Sequence, residues 1–234
     1  MFRPLKRPPP AIAPEEIGGV RVRTHARARR FSLRVDPKLG DVILTWPRGG
    51  SERAALRFIG ENKDWIARRR STIVPPKNFA EGDVVSVYGR DFTIVRRDGR
   101  GVAALEEDML VVHGRPEHLA RRVRDFLKNT ARDVLEDVAA QKQDKLGLQP
   151  HPVTIRDPKA RWGSCGPDGR IMFSWRLILA PPVVLDYVVA HEVAHRVHLN
   201  HSRKFWALCA DLAEDAAQGR KWLRKNGHAV MAYR

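Results

Sequence analysis

Three short runs near the start of the chain alternate apolar and polar positions. "VRVRT", "RFSLRVD" and "DVILTW" send successive side chains to opposite faces, the period of a half-buried strand. Val20, Val22, Phe31, Leu33 and Val35 fall on the apolar face, and Arg21, Arg23, Arg30 and Arg34 on the other. "PKLG" between the last two runs reads as a hairpin turn. The period then lengthens. Ser51 caps a predicted helix over "ERAALRFIGENKDWIARRR", in which Ala55, Phe58, Ile59, Asn62 and Ile66 share a face, and Pro75-Pro76 stops it. Further strands are expected at "VVSVYG", "FTIVRR" and "MLVVHG".

From Pro116 the pattern is helical again. Leu119, Val123, Phe126, Leu127, Val134, Leu135, Val138 and Leu146 form one stripe, closed by Gly147. "VTIRD" and "GRIMFSW" read as strands, and the glycines and prolines of "PKARWGSCGPDG" between them predict no regular element through its middle. A helix is expected after Pro181-Pro182 with Val184, Leu185, Val188 and Val189 turned inward, and a second after Ser202 on Phe205, Leu208, Cys209 and Leu212. The last, "RKWLRKN", is stopped by Gly227. The predicted fold class is α+β. Residues 1–17, with five prolines, are expected as a disordered tail, 18–115 as a basic β-rich region, and 116–234 as a region in which a helix packs on a short sheet.

Composition narrows the setting. The chain has 234 residues, 43% of them hydrophobic, enough for a buried core without crosslinks. Cys165 and Cys209 are the only cysteines, and the start of the chain lacks a signal-like apolar run, so a reduced, cytoplasmic location is expected. "LILAPPVVLDYVVA" is interrupted by Pro181, Pro182 and Asp186, which argues against a membrane span. The net charge of +16 is uneven: residues 1–80 carry 18 basic and 7 acidic residues. That asymmetry suits a nucleotide or nucleic acid partner on the N-terminal half, or merely a solvated arginine-rich face.

The chemistry concentrates in "HEVAHRVHLNH", residues 191–201. Histidines at i and i+4 of a helix aim two ring nitrogens at one point, so His191 and His195 can share one zinc ion, and the adjacent Glu192 can act as general base on a water beside it. A catalytic zinc needs a third protein donor. His201 is the choice, and the helix must break between Val197 and Asn200 to bring it in, with Ser202 capping the next helix. Glu214 is the rival ligand and His198 a further neighbour. Metal-assisted hydrolysis follows from this set, with Arg161, Tyr187, His198 and Arg176 as candidates to steady the developing oxyanion.

The segment "RWGSCGPDGRIMFSWRLILAPPVVLDYVVAHEVAHRVHLNHSRKFW" resembles the YgjP-like metallopeptidase family, related to the SprT-like and WLM metalloproteases. "RARRFSLRVDPKLGDVILTWPRG" and "ENKDWIARRR" look like its N-terminal region. The resemblance implies a zincin-like fold for 116–234, one zinc on His191, His195 and His201, Glu192 as catalytic glutamate, and Arg161, Trp162, Gly163, Ser164 and Cys165 along the cleft. Cys165 is in principle a fourth ligand, but a closed site would idle Glu192. The His195 to His201 spacing equals that of metzincins, yet residue 198 is His where they use Gly, and no methionine turn follows. The leading reading is therefore a zinc metallopeptidase in which "GRIMFSW" pairs an extended peptide. The alternatives are a zinc-dependent nucleoside triphosphate pyrophosphatase, or a protease or binding module that meets nucleic acid through its N-terminal half.

Overall fold

The computed structural model describes residues 13–36, 40–71 and 75–234. Most of the expected proline-rich tail and of the expected "PKLG" turn lies outside the described residues. The fold is α+β. Its contacts divide the chain into two compact units, one ending at Pro75 and one spanning Pro76–Arg234. The boundary expected near 115 thus differs from the observed division. Residues 84–113 belong with the second unit because Phe92, Ile94, Leu110 and Val112 share a core with Val123 and Leu127.

In the first unit, strands β1 (Glu16–Ile17), β2 (Val20–Thr24), β3 (Ser32–Val35) and β4 (Val42–Trp46) form a sheet ordered β1-β2-β4-β3. β1 falls within the stretch expected as tail, where Ile17 opposite Val20 is buried. Strands β3 and β4 pair antiparallel, as a hairpin requires, whereas β2 and β4 run parallel. The predicted single helix is two: α1 (Glu52–Glu61) and α2 (Lys63–Ser71). Asn62, expected on the buried stripe, sits at the break and donates its side-chain amide to the Phe58 carbonyl at 2.8 Å. Ser51 caps α1 by accepting from the Ala54 amide. Ala55 and Ile59 of α1 cluster with Val20, Val42, Leu44 and Trp46.

The second unit begins with β5 (Val84–Val87), β6 (Arg90–Arg97), β7 (Ala104–Glu106) and β8 (Met109–His113), ordered β5-β6-β8-β7. After a short 3-10 turn, α3 (Leu119–Lys145) buries Leu119, Val123, Leu127, Ala131, Leu135 and Ala139 at intervals of four. A second sheet follows: β9 (Val153–Arg156), β10 (Gly163–Cys165) and β11 (Ile171–Ser174), ordered β10-β11-β9. Two expectations are corrected here. "PKARWGSCGPDG" does contain a strand, β10, and β11 is the central strand with both edges occupied, so "GRIMFSW" has no edge left for a peptide.

Helices α4 (Pro182–Ala194), α5 (Arg203–Leu212) and α6 (Ala216–Met231) complete the unit. Gly227 does not stop α6 but lies buried within it, because a Cβ there would come 3.3 Å from the Trp162 ring. Its role is close packing, which offsets the roughly 1 kcal/mol that glycine costs inside a helix. Among the described residues, no helix is long and apolar enough to cross a membrane.

Candidate metal centre

α4 is the buried spine of the second unit. Val184, Leu185, Val188, Val189, Val193 and Ala194 are all in the core, which fixes the helix and leaves one face for chemistry. That face carries His191 and His195 one turn apart, with Glu192 beside them. The helix ends at Ala194. His198 donates its backbone N–H to the Ala194 carbonyl at 2.9 Å, the chain turns, and Ser202 caps α5 by accepting from the Phe205 amide. The break expected between Val197 and Asn200 falls slightly earlier, and it returns His201 to the α4 face.

His201 Nε2 lies 3.2 Å from His191 Nε2. Ring centroids are 5.0 Å apart for His191 and His195, 5.1 Å for His191 and His201, and 4.7 Å for His195 and His201. One nitrogen from each of the three lies within 4.8 Å of the others. Phe205 packs against all three rings at 4.5–4.9 Å, limiting their rotation. The His198 carbonyl can only accept, so His195 Nδ1 at 3.1 Å donates its N–H to it and leaves Nε2 with a free lone pair.

The donor set fits a divalent metal. Two imidazole nitrogens on a tetrahedral ion with bonds of about 2.0–2.1 Å stand roughly 3.3 Å apart, close to the His191 to His201 approach. Burial, reinforced by the charges of His195, His201 and Arg220, lowers His191 to about 4, so the ring is neutral and can ligate at neutral pH. Burial also lowers His195. Glu192 is 7% exposed, and burial pushes its carboxyl up to about 7 against the opposing charge of Arg161. Such a group takes and returns a proton near neutrality.

The other predicted site residues divide. Gly163, Ser164 and Cys165 of β10 line a cavity of about 280 Å³ together with His191, Glu192, His195 and Leu199. A Cβ on Gly163 would come 2.7 Å from Glu192 Oε1, so β10 lies on the glutamate only because residue 163 is glycine. Tyr187 is buried with its ring 6.1 Å from His191. Arg161 is exposed, and Trp162 packs on Gly227. The Cys165 thiol donates to the Gly166 carbonyl at 3.5 Å, and neither Cys165 nor Glu214 joins the three histidines among the described residues.

Arg176 serves elsewhere. Its side chain pairs with Asp157, stacks on Trp175 and donates to the Tyr233 carbonyl, so it is held away from a developing oxyanion. Sequence reasoning missed Trp206, 5.7 Å from His191 and 5.4 Å from His201, and the buried Lys142, which ion-pairs with Asp186 of α4 and donates to the Leu212 carbonyl at 2.7 Å. Lys142 lies in phase with the buried stripe of α3, a position that signals a buried partner when a charge occupies it.

A family model described as YgjP-like, metallopeptidase domain, matches residues 29–226. No curated protein matches the chain. Among solved structures, the crystal structure of the metallopeptidase zymogen of Pyrococcus abyssi abylysin is 25% identical over 39% of this chain and 93% of that one, with a TM-score of 0.34, too low to carry an argument about fold.

Proposed function

Since the chain belongs to the YgjP-like metallopeptidase family, we propose that it is a zinc-dependent peptidase whose single ion is held by His191, His195 and His201, with Glu192 as general base. The observation that carries this reading is the meeting of three imidazole nitrogens beside a buried carboxyl whose proton is exchangeable near neutrality. Zinc bound there supplies a Lewis acid that polarises the scissile carbonyl and acidifies water.

The remaining work falls to the chain's own groups. β10 is paired on one side by β11, and its other edge takes an extended peptide through backbone hydrogen bonds. Gly163 permits the substrate backbone and Glu192 to approach the same point. Glu192 removes a proton from the attacking water as the new C–O bond forms. It then delivers that proton to the leaving nitrogen as the C–N bond breaks. The His198 carbonyl holds His195 in one tautomer throughout.

Zinc-loaded protein is expected to cleave unfolded casein and to leave nucleoside triphosphates intact. Glu192→Gln should keep one zinc per chain while losing at least a hundredfold in rate. Elemental analysis should find stoichiometric zinc lost in His201→Ala and retained in Glu214→Ala. Hydrolysis of triphosphates but not casein would move the protein to the pyrophosphatase class. Zinc retention in His201→Ala with loss in Glu214→Ala would replace the third ligand.

A further inference from the structure

Gly219 is buried in α6, where a Cβ would come 2.6 Å from Tyr187 Cβ and 3.0 Å from the Val183 carbonyl oxygen. Its bare backbone lets α6 lie directly on α4, one turn ahead of His191. That contact fixes the position of the next residue, Arg220, which is exposed. The Arg220 guanidinium stands 5.3 Å from the centroid of the Trp206 ring, and Trp206 itself borders His201 and His191. A cation on an aromatic face at an exposed site gains about 0.5–1 kcal/mol, enough to favour one placement of a long side chain.

Among the described residues, no carboxylate forms an ion pair with Arg220. The contrast with Arg176, whose hydrogen-bonding groups are engaged by Asp157 and Tyr233, is direct. Arg220 presents a planar fork of donors, pre-placed at the border of the histidine cluster and without an anion of its own. A guanidinium in that state matches a carboxylate in shape as well as charge.

We propose that Arg220, held on Trp206, is a carboxylate-binding subsite that selects peptides carrying a negative group close to the bond presented at the histidine cluster. The inference rests on the peptidase reading and adds the substrate class. Two sources of carboxylate suit the chemistry: an acidic side chain within the peptide, or a free C-terminus.

The test uses full-length, zinc-loaded protein carrying Glu192→Gln, so that binding is measured without turnover. Calorimetry compares three N-acetylated peptides of one sequence: neutral and amidated, amidated with one Glu, and neutral with a free C-terminal carboxylate. At least one charged peptide should bind tenfold or more tightly than the neutral one, and the arm that does so identifies the source. Adding Arg220→Gln should remove the preference. Adding Lys221→Gln, which deletes an equal charge one residue away, should leave it. Equal binding of all three peptides, or a preference that survives Arg220→Gln, overturns the inference. Wild-type cleavage separates the two readings: equal kcat/KM for neutral and charged peptides removes the Arg220 subsite and leaves the peptidase standing, whereas neither binding nor cleavage of any peptide removes both.

Discussion

Burial acts on the two central titratable residues in opposite directions. Glu192 is raised from 4.5 to about 7, and His191 is lowered from 6.5 to about 4. For Glu192 the folded pKa lies above the unfolded one, so the metal-free protein loses stability as pH rises from 4.5 to 7. The ionised carboxylate then costs on the order of 3 kcal/mol. For His191 the folded pKa lies below, so stability rises between pH 4 and 6.5, and the two effects oppose each other over most of that window. In EDTA, Glu192→Gln is therefore expected to be more stable than wild type by a few kcal/mol at pH 8 and equal to it at pH 4. Urea midpoints at the two pH values check this. A variant no more stable at pH 8 would mean that Glu192 is solvated in the metal-free protein.

At the scale of elements, glycine explains much of what the sequence did and did not disclose. Alternation located β2, β3 and β4, short runs of strand-forming residues located β5, β6, β8, β9 and β11, and the stripe on α3, whose buried face repeats with the period of a helix, located an element of 27 residues. β7 was silent since all three of its residues are exposed and no face is buried. β10 and the end of α6 were misread for another reason. Gly163 and Gly227 have the appearance of breakers, yet each is the point where another side chain, Glu192 or Trp162, occupies the place of a Cβ. The site itself was far more legible than its supports. His191, Glu192 and His195 are local in sequence, whereas Lys142 meets Asp186 only through tertiary packing.

That buried pair braces α3 against α4, and Asp186 also accepts the Glu214 amide at 2.7 Å, tying in the start of α6. Lys142 is 4% exposed, so removing its charge strands a carboxylate at a helix junction. Lys142→Met is expected to destabilise the protein by about 3 kcal/mol, the low end for a buried pair because Asp186 is partly solvated. Lys142→Met with Asp186→Asn should recover part of the loss, since the amide oxygen can still accept from Glu214. Urea denaturation of both variants measures the coupling. A single variant as stable as wild type would show that the pair contributes nothing.

For the whole molecule, the core residues fall into two sets with no member in common. One runs through Ile17, Val20, Leu44, Trp46 and Ile59, and the other starts at Phe79 and includes the buried stripe of α3 and most of the buried apolar positions of α4. Among the described residues, the three clustered histidines all lie in the unit built on the second. A fragment of residues 76–234 is therefore expected to unfold in one cooperative transition and to bind one zinc per chain. Calorimetry and zinc titration test the two claims, and a fragment that fails to fold would show that the second core needs the first unit.

The closing residues of the second unit are laid back on its opening ones. Lys77 donates its amide to the Ala232 carbonyl at 2.8 Å, Arg234 donates its own to the Lys77 carbonyl at 2.9 Å, and Tyr233 stacks on Phe79 while its carbonyl receives Arg176. The path of the backbone through this unit is thereby almost a closed ring. Splicing residue 234 to residue 76 with a short linker and reopening the circle at the exposed Asp98-Gly99 turn would reorder the gene while leaving every imidazole in place.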